Sequence, residues 1–234
     1  MLNYFLTHYA PWVDRIIVFD DHSDDGTREI ATAHPKVELR DLPEKGESFV
    51  ETALGIWNHA WKESRGRADW VIVGNVDEFF YHPAGERAFI EAAHAKHFTV
   101  IHPRGFEMYG DTFPLQGSSI IHELPCGAPM FGQDKMQIFN PNAIAEMRFT
   151  PGRHTAKPQG RVTINTDDNA HLLHYKYVDT EGYLVPRQQS LRDRMLPGDV
   201  ARGYGFQYRL GQAEIVSSAA WLKRHSSQLV REAS

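Results

Sequence analysis

Two acidic segments of the chain carry the residues best suited to chemistry. Residues 20–27 read Asp-Asp-His-Ser-Asp-Asp-Gly-Thr, and residues 75–79 read Asn-Val-Asp-Glu-Phe. Each follows an apolar run, residues 15–19 and 70–74, that is typical of a strand buried on both faces. Because ligands bind at the carboxyl ends of parallel strands, we expect these carboxylates to meet at one rim. Converging carboxylates repel one another unless a cation or a donor-rich ligand joins them, and such oxygen ligands suit Mg²⁺ or Mn²⁺ beside a diphosphate.

Each segment also has a plainer interpretation. Asp, Ser and Gly favour turns, so residues 20–27 would equally suit a turn with Ser23 or Asp24 as the N-cap of a helix. Asp77 and Glu78 would also suit a solvated strand end. Because both patterns follow buried strands, a shared ligand site is favoured over two unrelated turns.

The front half of the chain alternates between apolar runs and helical spacing. Strands are predicted at residues 15–19, 37–39, 70–74 and 99–101, and helices at residues 25–34, 49–64 and 86–97. This order predicts an α/β fold in which a parallel sheet has helices on both faces.

The rear half is richer in Pro and Gly and predicts a mixed α+β arrangement. Strands are predicted at residues 136–139 and 172–177, and helices at residues 180–195 and 210–225, with Pro186 expected to bend or break the first. No stretch resembles a linker. We therefore predict one domain over residues 1–234, made of a front half (1–104) and a rear half (105–234).

Composition excludes several classes of protein. The 234 residues are 41% hydrophobic and 24% charged, which is globular composition. A single cysteine, Cys126, excludes an intramolecular disulfide framework and fits the reducing cytoplasm. A net charge of −5 argues against nucleic-acid binding, and we expect no transmembrane segment or signal peptide.

The sequence resembles the family 2 glycosyltransferases. The resemblance rests on residues 13–27 and 68–79, with later matches at residues 138–141, 152–156 and 172–177. It implies a mostly parallel, Rossmann-like nucleotide-binding sheet of the glycosyltransferase A type. It also implies a nucleotide-sugar donor, Mn²⁺ or Mg²⁺, a glycan or lipid-linked acceptor, and inversion at the anomeric carbon. A lipid-linked acceptor would place the protein at the inner face of the membrane.

The resemblance also assigns residues to roles. Asp21 corresponds to the carboxylate that contacts the nucleoside, Asp77 to the last Asp of the metal-binding Asp-x-Asp motif, and His174 to a late histidine of the metal and diphosphate site. The predicted metal ligands are Asp77, Glu78 and His174. The predicted nucleotide-sugar contacts are Asp20, Asp21, Ser23, Asp25, Asn75, Arg153, His154 and Lys157. On spacing alone, His174 would equally suit a half-buried strand histidine.

Two further predictions concern the rear half. Residues 151–161 form a basic loop by composition, which would either close over a donor diphosphate or remain an ordinary solvated loop. Inversion needs a general base, for which we select Asp134, with Glu107 and Glu146 as competitors. Several arginines would add either to an anion-binding surface or to a solvated helix face: Arg187, Arg192, Arg194, Arg202 and Arg209.

The chain departs from the family pattern in two ways. Asn75 stands where the first Asp of Asp-x-Asp is expected, which removes one charge and predicts weaker cation binding. Residues 1–9 are predicted as the end of a helix, and the family's first strand, which would precede this helix, is missing from the pattern. Both departures keep open an alternative, a catalytically impaired glycosyltransferase-like binding protein. A histidine-based metal hydrolase is disfavoured because no His-Glu-x-x-His pattern is present.

Overall fold

Short strands and helices alternate along residues 1–230, the part of the chain that this computed structural model describes. The strands are β1 (Ile16–Asp20), β2 (Val37–Asp41), β3 (Val71–Ile72), β4 (Glu78–Tyr81), β5 (Val100–Ile101), β6 (Arg104–Gly110), β7 (Cys126–Pro129), β8 (Ile138–Phe139), β9 (Ile144–Glu146), β10 (Gln159–Gly160), β11 (Ile164–Asn165), β12 (His171–Val178) and β13 (Ser227–Gln228). The α-helices are α1 (Leu2–Tyr9), α2 (Thr27–Ala33), α3 (Phe49–His59), α4 (Glu86–Ala95), α5 (Ile120–Glu123), α6 (Val185–Asp193), α7 (Pro197–Ala201) and α8 (Gln212–His225).

The strands of the described chain form several small sheets. The largest has five strands in the order β13-β7-β6-β12-β4, and a second has four in the order β11-β5-β8-β3. β1 and β2 form a parallel pair, and β9 and β10 form an antiparallel pair. The fold is therefore mixed α/β, as the sequence predicts.

Residues 1–230 do not show the Rossmann-like parallel sheet of the finer prediction. The strands predicted at residues 70–74 and 99–101 shrink to the two-residue strands β3 and β5, and each pairs antiparallel with β8 from the rear half. The parallel pair β1–β2 forms a sheet of its own. An apolar run identifies a buried strand, but it does not identify the neighbour that satisfies the backbone of that strand.

Helix ends also differ from the predictions. α2 begins after Gly26, whose φ of 84° lies in the left-handed region, and not after Ser23 or Asp24. The helix predicted at residues 180–195 forms a π-helical turn, Thr180–Leu184, followed by α6. Pro186 lies in the first turn of α6, where a missing N–H costs nothing, and so it begins this helix rather than breaking it.

β12 is the strand that organises the candidate site. It pairs parallel with β6 and antiparallel with β4, so that His174 lies between Glu107 and Glu78 in one cross-strand row. The preceding row is apolar and joins Phe79, Leu173 and Phe106 in a buried cluster. Successive residues point to opposite faces of a sheet, which places a polar row directly above a hydrophobic core.

A β-bulge interrupts β12 beside this polar row. The register with β6 shifts between His174 and Tyr177, so that β12 carries one residue more than β6 over this stretch. Bulges bend a strand and redirect its side chains, and they are frequent beside binding and catalytic sites. This bulge lies at Tyr175 and Lys176.

The core extends through three apolar clusters. One of them combines α1 with α4 and residues of the rear half, and includes Leu6, Ile90, Ile138 and Ala170. Within residues 1–230, no helix combines the length and the apolar character that crossing a membrane requires.

Gly105 provides a test of how β6 packs. A Cβ atom at this position would collide with the backbone of Gln133, and the Gly105 carbonyl accepts a hydrogen bond from the Met130 N–H (2.9 Å). We expect Gly105→Ala to lower the free energy of unfolding by about 1–3 kcal/mol, the usual cost of overpacking. Urea denaturation measures this. As a control, Gly55→Ala should cost far less, since a Cβ there meets no atom within 4 Å. Equal stability of the two variants would contradict the packing.

Candidate functional site

Glu78 is fully buried and is bound by two cations. Its Oε1 lies 2.7 Å from Lys135 Nζ, and its Oε2 lies 2.7 Å from Arg153 Nη2. Burial alone would raise the pKa of this carboxyl, but Arg153 and Lys135 outweigh burial and lower it to about 2. The backbone N–H of Asn75, an exposed residue, also donates to Oε2 (3.2 Å). Glu78, predicted as a metal ligand, has both oxygens engaged by the protein.

Alternate side chains of residues 133–137, which begin at the end of the 3₁₀ turn Phe131–Gln133, contact the polar row or its partner Arg153. The amide of Gln133 lies 3.1 Å from His174 Nδ1, Lys135 pairs with Glu78, and Gln137 accepts a hydrogen bond from Arg153 Nη1 (2.9 Å). All three residues are buried. The alternation Gln-x-Lys-x-Gln is visible in the sequence, and it is the signal that could have identified these residues.

Asp134, predicted as the general base, has a different contact. Its Oδ1 accepts a hydrogen bond from the Gly105 N–H (2.5 Å). In the part of the chain described here, no hydrogen bond or ion pair joins Asp134 to Asp77 or His174. Lys135, the next residue in the chain, pairs with Glu78.

Arg153 does not belong to an open basic loop. Its side chain is fully buried and donates hydrogen bonds to the Val73 carbonyl (2.6 Å) and to Glu78, and its guanidinium lies 5.0 Å from the centre of the Trp57 ring. Its φ of 58° is strained for a residue with a side chain. His154 lies 2.5 Å from the Gly132 carbonyl, and Lys157 is exposed. Of the three predicted diphosphate contacts, Arg153 is therefore buried and bonded to the protein, whereas His154 and Lys157 are exposed.

Asp77 and His174 are brought together, as the resemblance implies. Asp77 Oδ2 lies 3.7 Å from His174 Nε2 and 3.4 Å from Nη1 of Arg187 on α6. On its other side, His174 Nδ1 lies 2.5 Å from Glu107 Oε1. Asp77 Oδ1 is buried and has no hydrogen-bond partner in the described chain. This group joins the turn before β4 to β6, β12 and α6, and two of its buried carboxylate oxygens, Asp77 Oδ1 and Glu107 Oε1, have no hydrogen-bond partner in the described chain.

Opposite charges fix the protonation of this group. Burial would raise the pKa of Asp77, but His174 and Arg187 lower it far below its usual range. Burial also opposes the protonation of His174, but Glu107 and Asp77 overcome it and raise its pKa to about 10. At neutral pH the group therefore holds an imidazolium between two carboxylates. It can donate hydrogen bonds to an anionic ligand and accept one from a hydroxyl.

The first acidic segment reaches this site only in part. Buried Asp20 pairs with Arg28 (2.7 Å) and accepts from the Ser23 N–H (3.0 Å), and Asp21 pairs with Lys45 (2.8 Å). Asp25 accepts from the N–H at the start of α2, and its charge acts on Tyr183 together with that of Asp77. Burial, followed by these charges, raises the pKa of Tyr183 against the opposing effect of Arg187. Asp25 of the first acidic segment and Asp77 of the second therefore both act electrostatically on Tyr183.

The predicted ligand set does not fit a divalent cation. Glu78 is engaged by Lys135 and Arg153, and both ring nitrogens of His174 face carboxylates. Within residues 1–230, no group of three or more His, Cys, Asp and Glu side chains is arranged to hold a metal ion. Cation dependence therefore stays a prediction that comes from the sequence.

No protein-family model matches the chain, and no curated protein matches it significantly. The resemblance to family 2 glycosyltransferases therefore depends on the motifs themselves.

His174 gives the fold a pH dependence. Its pKa is raised to about 10 in the folded chain and is about 6.5 in an unfolded one. The proton it binds therefore stabilises the fold fully below about pH 6.5, and this contribution is lost as the pH rises towards 10. We expect His174→Gln to be less stable than wild type at pH 6, with the difference shrinking steadily up to pH 10. Urea denaturation from pH 6 to pH 10 measures the difference in the free energy of unfolding between the two proteins. A difference that does not change with pH would contradict the protonated state of His174.

Proposed function

We propose that this chain is a glycosyltransferase, which moves a sugar from a nucleotide-sugar donor to a glycan or lipid-linked acceptor. One observation supports the proposal most strongly. Asp77, the last residue of the motif at positions 75–77, shares a buried group with His174 and Arg187, and one of its oxygens has no partner in the described chain. Buried polar atoms are normally satisfied, so an unsatisfied carboxylate oxygen suits a ligand.

The roles of the residues follow from their charges. The imidazolium of His174 and the guanidinium of Arg187 would stabilise negative charge as the nucleoside diphosphate departs, in the way that fixed cations stabilise developing charge elsewhere. Oδ1 of Asp77 would accept a hydrogen bond from a hydroxyl group of the donor and so orient the donor. Direct displacement with inversion also needs a base for the acceptor hydroxyl. Asp134 remains the proposal from the sequence, whereas Glu107 has the advantage of direct contact with His174.

A panel of nucleotide sugars tests the proposal. The chain is incubated with each donor, with and without Mn²⁺, and release of the nucleoside diphosphate is followed by ³¹P NMR. We expect slow release from one or a few donors even without an acceptor, because water can replace the acceptor hydroxyl.

The alternative, a binding protein without turnover, has one observation in its favour. The acidic residue next to Asp77, Glu78, is engaged in the fold, and Asn75 carries no charge. A donor that raises the melting temperature but is never cleaved would support this alternative. If no donor in the panel binds or reacts, both proposals are wrong.

A further inference from the structure

The positively charged side chains around the buried carboxylates of the site outnumber those carboxylates. Three carboxylates lie there, those of Asp77, Glu78 and Glu107. Four lysine and arginine side chains contact them or act on them electrostatically: Lys135, Arg153, Lys176 and Arg187. A divalent cation would add to this excess, whereas an anion would balance it.

Two of these cations have donors to spare. Arg187 lies 3.4 Å from Asp77, and 37% of its side chain is exposed. A guanidinium carries five N–H donors, so contact with Asp77 leaves most of them available. Lys176 lies at the bulge of β12 and is half-buried. Burial lowers the pKa of Lys176, whereas the nearby charges of Glu107 and Asp77 favour its ammonium form. This ammonium makes no hydrogen bond or ion pair in residues 1–230.

The carboxylates hold these cations in place without neutralising them all. Asp77 and the ring of Tyr183, 5.8 Å from the guanidinium, fix Arg187 at the start of α6. The ring of Tyr177, 5.3 Å from Nζ, supports Lys176. Arginine binds phosphate oxygens through two parallel hydrogen bonds, and lysine binds them as a point charge.

We propose that Arg187 and Lys176 form an anion subsite beside Asp77, which binds the diphosphate of the donor directly and without a divalent cation. This inference deepens the proposed function and rests on it for the identity of the ligand. The diphosphate would receive from the protein the positive charge that Mn²⁺ or Mg²⁺ would otherwise supply. Asp77 Oδ1 would then remain available to a hydroxyl group.

Isothermal titration with inorganic pyrophosphate in the presence of EDTA tests the subsite. We expect wild type to bind pyrophosphate under these conditions, and Arg187→Gln and Lys176→Gln each to weaken binding at least about tenfold, as loss of a charge-assisted hydrogen bond does. Arg192→Gln is the matched control, since Arg192 is exposed on the same helix. It should leave the dissociation constant within about twofold of wild type. Circular dichroism and melting temperature confirm that each variant is folded.

The outcomes separate this inference from the proposed function. Pyrophosphate binding that needs Mn²⁺ and ignores Arg187→Gln would overturn the subsite, and donor cleavage in the NMR assay would leave the glycosyltransferase proposal intact. Binding in EDTA that depends on Arg187 would support the subsite even if no nucleotide sugar is cleaved. If Arg192→Gln weakens binding as much as Arg187→Gln, or if pyrophosphate does not bind at all, the subsite is wrong.

Discussion

Glu78→Gln should lower the free energy of unfolding by about 3–5 kcal/mol, the usual cost of removing one partner from a buried ion pair. The Glu78 carboxylate is the partner of both Lys135 and Arg153, at 2.7 Å each. Both cations are buried, at 3% and 0% exposure. Glutamine fills nearly the same volume but has no charge, so it would leave two buried cations without a counter-charge. Such a loss is a large share of the roughly 5–15 kcal/mol that stabilises a typical domain.

Chemical denaturation of Glu78→Gln at neutral pH measures this effect. Glu91→Gln is the matched control, because Glu91 pairs with Arg87 on the exposed face of α4 and exposed pairs contribute little. If Glu78→Gln is as stable as Glu91→Gln, Glu78 is not a structural residue. Loss of donor cleavage in such a stable variant would return Glu78 to the role of a ligand, which the sequence assigns to it.

The sequence predicts where buried strands lie better than it predicts their partners. Residues 15–19 and 37–39 correspond to β1 and β2, which pair in parallel as expected. The run at residues 70–74 becomes the short strand β3, because β8 from the rear half approaches it and pairs antiparallel over two residues. Such pairing depends on contacts distant in sequence, which local patterns do not contain.

Contacts between residues distant in sequence also limit how much of the candidate site can be predicted. Asp77 and His174 could be brought together through the resemblance, because each matches a family motif. The partners of Glu78 could not, since Lys135 and Arg153 follow it by 57 and 75 residues. Asp134 is the instructive case. Lys135 pairs with Glu78, whereas the carboxylate of its neighbour Asp134 accepts a hydrogen bond from the Gly105 N–H, and the sequence shows neither contact.

Arg153 shows why a basic loop is a weak indicator of ligand binding. Its glycine-rich neighbourhood suggests mobility, yet its guanidinium donates to a backbone carbonyl, a side-chain amide and a carboxylate inside the protein. Burial of a guanidinium requires this many acceptors. Composition shows that the loop is positively charged. It does not show the acceptors of Arg153, which are the Val73 carbonyl, Gln137 and Glu78.

Asp77→Asn should reduce cleavage of whichever nucleotide sugar the wild type accepts by at least about 100-fold, the scale on which loss of one preorganised electrostatic group acts. The substitution retains shape and one oxygen acceptor. It removes the charge that Arg187 and His174 face at 3.4 and 3.7 Å. His174 would then keep Glu107 as its close carboxylate partner, and its pKa would fall. Arg187 would lose the contact that orients its guanidinium.

Steady-state rates of nucleoside diphosphate release, with kcat and KM measured separately, test this prediction. Asp69→Asn is the control, because Asp69 is an exposed carboxylate shortly before β3 and should leave both constants unchanged. Denaturation curves for the two variants show whether folding is affected, since Asp77 is buried and Asp69 is not. A folded Asp77→Asn protein that cleaves the donor at the wild-type rate would remove Asp77 from the site. Because Asp77 is the residue that joins the acidic motif to His174 and Arg187, the glycosyltransferase proposal would then lose its principal support.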